Sequence, residues 1–146
     1  MKNVDELIYE AIVADETLMG TIGGRVTSTC FEIPPDKLDN TDVPNIIITD
    51  DGFTNNVTTK DYVWEGGEDE VRVTVDIAGN SPEEVKQIMR RVRKAVETYM
   101  VSLAEKPELV SLTSGELAWD WMKPCYYKPL IYQCITQADI DDEQEG

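Results

Sequence analysis

Apolar residues recur along the chain at two spacings, and the switches between them mark out its elements. Val4, Leu7, Ile8, Ala11 and Ile12 follow the three-and-four spacing of a helix that is apolar on one face. Asn3 stands at the N-cap position with Glu6 three residues later, the arrangement of a capping box. Asp15 is placed to cap a second short turn through Leu18 and Met19. The stretch GTIGGRV, residues 20–26, then halts helix formation, because each glycine costs about 1 kcal/mol relative to alanine. A phosphate-holding glycine loop leaves a strand, leads into a helix and ends in Gly-Lys-Ser/Thr. Here the order is helix, glycines and then the strand-like Arg25-Val26-Thr27, so the stretch reads as a turn.

Residues 31–44, FEIPPDKLDNTDVP, combine adjacent Pro34 and Pro35 with four acids, which predicts an exposed loop or arm. Asn45 to Thr49 is a short β-branched run that the turn signal Asp50-Asp51-Gly52 should end. Two longer strands are expected, Asn56 to Trp64 and Val71 to Ile77, joined as a hairpin through EGGEDE. In the second, Val71, Val73, Val75 and Ile77 face one way while Arg72, Thr74 and Asp76 face the other, which predicts a sheet with one buried face.

The cover for that face follows directly. SPEEVKQIMRRVRKAVETYMVSL opens with Ser81 as N-cap, Pro82 at the first helical position and Glu84 three residues after the cap. Val85, Ile88, Met89, Val92, Val96, Tyr99 and Leu103 form one apolar stripe, long enough to lie along a whole sheet. Glu83 and Glu84 at its start, with basic residues further on, suit the helix dipole. Leu109 to Leu112 reads as a short strand and Leu130 to Thr136 as a final one, which Pro124 and Pro129 assign to an edge or an irregular approach. The end, ADIDDEQEG, has five acids and no base, so the reading is one domain over residues 1–137 and a solvated, disordered tail over 138–146.

Composition narrows the chemistry. With 146 residues, 41% of them hydrophobic, the chain suits one domain with a core and is short for two. Its 13 basic and 29 acidic residues give a formal charge of -16, which argues against general attraction to DNA. Cys30, Cys125 and Cys134 are odd in number and lack a CxxC, so they read as reduced, packed thiols. No apolar run is long enough to span a bilayer and acids interrupt the N-terminal segment, so a soluble, intracellular protein is expected.

There is no histidine, which removes the usual general base and the commonest transition-metal ligand, and hydrolytic triads with it. Asp50-Asp51, Asp61, the Glu65 to Glu70 cluster and Asp141-Asp142 offer oxygen ligands for Mg²⁺ or Ca²⁺. None has EF-hand spacing, and acids beside glycine in turns are ordinarily solvated. No catalytic residue, metal ligand or cofactor is assigned. Trp119, Trp121, Tyr126 and Tyr127 read better as core or subunit interface than as a nucleic-acid platform on so acidic a chain.

One segment departs from the acidity. Residues 81–106 hold Lys86, Arg90, Arg91, Arg93, Lys94 and Lys106 against four acids. A solvated outer helix face explains this. A sharper reading makes Arg90, Arg91, Arg93 and Lys94 a subunit interface, meeting acidic loops of the next copy in a closed ring, and makes the Pro34-Pro35 loop a second candidate interface.

VDELIYEAIVAD, the turn ending in Leu18-Met19 followed by GGRV, the strand VPNIIIT, the junction VRVTVDIAGNSPEEV and the long basic helix together resemble, over roughly residues 4–100, the tail-completion proteins of long-tailed phages and prophages, tail terminators among them. EGGEDE and the aromatic segment from Trp119 to Tyr127 do not match that pattern. The resemblance implies an α+β subunit, its long helix and N-terminal helix packed on one face of a mostly antiparallel sheet. It implies a ring, typically a hexamer, that caps the tail tube, meets tail-tube and head-neck connector proteins, and lets DNA pass without binding it specifically. It also implies a place in the virion neck or tail after assembly in the host cytoplasm. An acidic channel wall would let DNA slide. Two other readings fit the acidity, a DNA mimic that competes for a basic partner and a carboxylate-metal enzyme built on Asp50 or Asp51. Against mimicry, the acids sit chiefly in turns and the tail, not along helix faces.

Overall fold

The computed structural model describes residues 2–28, 42–56, 68–122 and 124–137. Along them run α1 (Val4–Ala14), α2 (Glu16–Ile22), β1 (Val26–Ser28), β2 (Asn45–Asn56), β3 (Glu68–Gly79), α3 (Pro82–Ser102), β4 (Glu108–Ser114), β5 (Ala118–Asp120) and β6 (Cys125–Gln137). The strands form one sheet in the order β1-β2-β3-β6-β4, with β5 also paired to β6. β1 and β2 run parallel and the other pairs antiparallel. This is the expected α+β architecture, with the helices gathered on one face of a mostly antiparallel sheet.

Local chemistry explains the helices. Ser81 Oγ accepts from Glu84 N–H at 3.1 Å, and Glu84 reaches back to Asn80 N–H at 2.8 Å, so the start of α3 is tied at both ends. Val85, Ile88, Met89, Val92 and Val96 are buried as the stripe predicts, and Ala95 joins them. Asp15 caps α2 by accepting from Leu18 N–H at 3.0 Å. Gly23 ends that helix at φ +60, a left-handed conformation in which a Cβ would also lie 2.6 Å from Arg25 Nη1. Arg25 folds back there, donating from Nε to Pro44 O at 2.9 Å while its own carbonyl accepts from Ile46 N–H. The glycine stretch is a turn that joins α2 to the start of the sheet.

Alternation in β3 orders the core. Val73, Val75 and Ile77 are fully buried, and they cluster with Ile46 and Ile48 of β2, Leu130 and Tyr132 of β6, and the apolar faces of all three helices. At about 1.5–3 kcal/mol for each fully buried large aliphatic, this layer is the main stabilising term of the fold.

Several expectations are corrected. Asn3 occupies the N-cap of α1 but makes no capping bond through its side chain, and Glu6 N–H is taken instead by Asp5 Oδ1 at 2.9 Å. Asp50-Asp51-Gly52 does not end its strand. Asp51 and Gly52 together lie between the Asp50↔Val73 and Phe53↔Val71 pairs, a bulge that β2 runs through, with Gly52 N–H held by Asp50 Oδ1 at 2.8 Å. The hairpin partner of β3 is therefore β2. Glu68-Asp69-Glu70 belongs to β3 and not to a turn, because the carboxylates find partners across the sheet: Asn55 donates to Asp69 and Gln133 to Glu70.

β6 is an interior strand between β3 and β4, not an edge. Pro129 is tolerated because its carbonyl, and with it the side where an N–H would point, faces the gap where the partner changes from β4 to β5. Gly115 N–H closes that gap on Pro129 O at 2.9 Å, and a Cβ at Gly115 would meet Pro129 Cγ at 2.5 Å. The last turn of α3 holds no basic residue, so the basic side chains lie too far from its end to complement the dipole. The expected strand Asn56 to Trp64 beyond Asn56, the Pro34-Pro35 loop and the tail 138–146 lie outside the described residues.

Candidate subunit interface

Helix α3 sends its basic residues in three directions. Arg91 turns inward to the cap of α2, its Nε 2.9 Å from Asp15 Oδ2 and its Nη2 donating to Oδ1 at 3.1 Å. Burial pushes the Asp15 carboxyl up, but the Leu18 N–H and Arg91 outweigh it and hold the group below the ordinary carboxylate range. Arg90 and Lys94 are exposed one turn apart. Arg93 sits on the opposite flank from Arg91, at the wall of a groove. Of the four candidate residues, Arg91 closes an internal contact, while Arg90, Arg93 and Lys94 are exposed, Arg93 at the wall of the groove and Lys94 beside Arg91 in the depression at Asp15.

That groove, about 380 Å³, runs between α1, the second half of α3, β4 and β6. Ile8, Val96, Met100, Leu109, Leu112 and Tyr132 make it apolar, and Arg93, Lys106 and Glu97 stand among its lining. Tyr132 is 4% exposed and, among the described residues, its hydroxyl has no hydrogen-bond partner. Burial raises the Tyr132 phenol pKa, with the Arg93 charge opposing. The Cys134 thiol beside it is pushed by burial up to about 11, which leaves it a packed thiol with little nucleophilic character. Cys125 is likewise buried. Val101 and Leu109 project at the groove with more than half of their surface in solvent.

A second apolar feature stands at the other end of β6. The turn from β5 into β6 leaves Trp121 84% and Met122 90% exposed. Trp119 braces it, edge-on to Tyr126 with ring centres 4.8 Å apart and to Trp121 at 6.0 Å. Asp120 Oδ1 accepts from Met122 N–H at 2.9 Å and fixes the turn. The aromatic segment is therefore a surface feature, with Tyr126 alone reaching the core cluster as a half-buried neighbour.

The face of the sheet away from the helices carries Arg72, Thr74 and Asp76 as the alternation predicts. Thr74 donates to Asp51, whose carboxylate also lies 4.0 Å from Arg72 Nε. Burial raises the Asp76 pKa, and the nearby Asp51 adds to it. Among the described residues no group of three His, Cys, Asp or Glu side chains is placed to hold a metal ion, and no helix is long and apolar enough to cross a membrane.

The groove escaped sequence reasoning because its walls come from four elements. Two signals were present: Val101 lies off the buried stripe of α3, and Leu109-Val110 puts adjacent apolar residues on a strand that sits at the sheet edge.

No protein-family model matches the sequence, and no curated protein matches it. Among solved structures, the chain is similar to one in the virion of a native gene transfer agent particle, at 12% identity and a TM-score of 0.58. The likeness spans 92% of this chain and 95% of the other, so the two share a fold.

Proposed function

We propose that the chain is a non-catalytic structural subunit of a phage-related virion, a tail-completion protein that forms a ring, hexameric in keeping with the resemblance, on the end of the tail tube. The observation that carries this reading is the shared fold over nearly the whole of both chains with a protein of a gene transfer agent virion. The order of elements from the first helix through GGRV to the VTVDIAGNSPEE junction supports it independently.

The surface chemistry suits such a role. Exposed Arg90 and Lys94 present positive charge on a chain of net -16, which favours contact with an acidic face of a neighbouring copy. Tail-tube and head-neck connector proteins are the other partners in this reading. DNA passes through a channel whose acidic walls do not hold phosphate. The test is assembly of a tail-tube protein, with and without the purified chain, imaged by negative-stain electron microscopy. Ring-capped tubes that stop growing are expected. Tubes that elongate unchanged while the chain stays in solution would contradict the proposal.

A further inference from the structure

The chain carries a protruding apolar turn and an apolar groove that cannot meet within one copy. Trp119 pairs with Tyr126 near the start of β6, while Leu109 of the groove pairs with Cys134 near its end. Eight residues separate the two positions, about 27 Å at ~3.4 Å per residue. α3 has the same polarity: it begins beyond Gly79, opposite Tyr126, and its second half walls the groove. Each feature is exposed in the single chain, and each lacks what the other supplies.

We propose that the groove receives the Trp121-Met122 turn of a second copy of the chain, so that copies join head to tail. The groove volume of about 380 Å³ accommodates an indole ring. A tryptophan buries about 150–250 Å², a suitable anchor for an interface that typically removes about 800 Å² from each partner. Charge agrees as well. Glu116 and Asp120 make the surroundings of the turn acidic, and Arg93 and Lys106 against Glu97 leave the groove at net +1.

A contact between two different patches is heterologous, and repeated copies close into a ring when the rotation between neighbours allows it. The proposal rests on the reading of the chain as a ring-forming subunit and names the contact that builds the ring.

Sedimentation velocity over a concentration series tests it, with thermal melts to establish that each variant folds. Trp121→Ala removes the turn's anchor and Leu109→Glu charges the groove; both residues are more than half exposed, so neither substitution disturbs the core. The wild-type chain is expected to associate, and each variant to associate about 30-fold more weakly, the loss that corresponds to the roughly 2 kcal/mol of a hot-spot residue. An equimolar mixture should restore pairs and nothing larger, because the intact turn of one variant finds the intact groove of the other. Association of either folded variant at wild-type strength overturns the contact and leaves the ring reading standing. Folded variants that fail to pair on mixing overturn it too, as does a wild-type chain that stays single at every concentration. Tube capping judges the virion reading separately.

Discussion

The helix-covered face of the sheet and the two ends of β6 treat apolar side chains in opposite ways. On the covered face, Ile8, Ile12, Ile46, Val75 and Ile77 are wholly removed from water by α1, α2 and α3. Toward one end of β6 Trp121 and Met122, and toward the other Val101 and Leu109, stay largely in solvent, the second pair at a groove that Tyr132 also lines. The first region closes on itself and has nothing left to offer. The second leaves apolar surface in water in the single chain, the surface that the proposed head-to-tail contact would bury.

The contrast can be broken most strongly from the core side. Ile77→Ala should cost about 2–5 kcal/mol in a denaturant titration, because the cavity it leaves is fenced by residues that cannot collapse into it. Asp15→Ala should cost about 1–2 kcal/mol, through the loss of the α2 cap and of the Arg91 contact. Its pH dependence has a definite sign. The folded pKa of Asp15 lies below the unfolded value, so its contribution is complete above about 3.9 and fades as pH falls through the lower folded value. The wild-type and variant stability curves should therefore converge only in strong acid.

Asp76→Asn should act in the reverse direction and raise stability at neutral pH by about 0.5 kcal/mol, the scale of a surface substitution. Here the folded pKa is raised, so the ionised carboxylate costs stability above that value. The cost disappears as pH falls below the unfolded value of about 3.9, and thermal melts across that range should show the gain vanish. Trp121→Ala is expected to shift the melting of the isolated chain least, by under about 0.5 kcal/mol, although it disrupts association. A large loss of fold stability there would mean that the turn belongs to the core after all.

What could be read from the sequence follows from how local each feature is. The Ser81 cap, the stripe from Val85 to Val96 and the alternation of Val73, Val75 and Ile77 depend on neighbours a few residues away, and the structure repeats them. The continuation of β2 through Asp50-Asp51-Gly52 depends on β3 being there to pair with Phe53 and beyond. Pro129 signals an edge only until its strand is known to lie where β4 gives way to β5. The separation of Arg91 from Arg90, Arg93 and Lys94 likewise needed Asp15, far away in the chain, to be brought alongside α3. The groove needed α1, α3, β4 and β6 together, so no segment of sequence announces it.

Cryo-electron microscopy of tail-tube ends assembled with the chain tests the central claim most directly. A closed ring of copies is expected at the tube end, with Trp121 of each copy seated in the groove beside Leu109 of the next. Tube ends that lack the chain, or a ring in which Trp121 remains in solvent and another surface joins the copies, would contradict it.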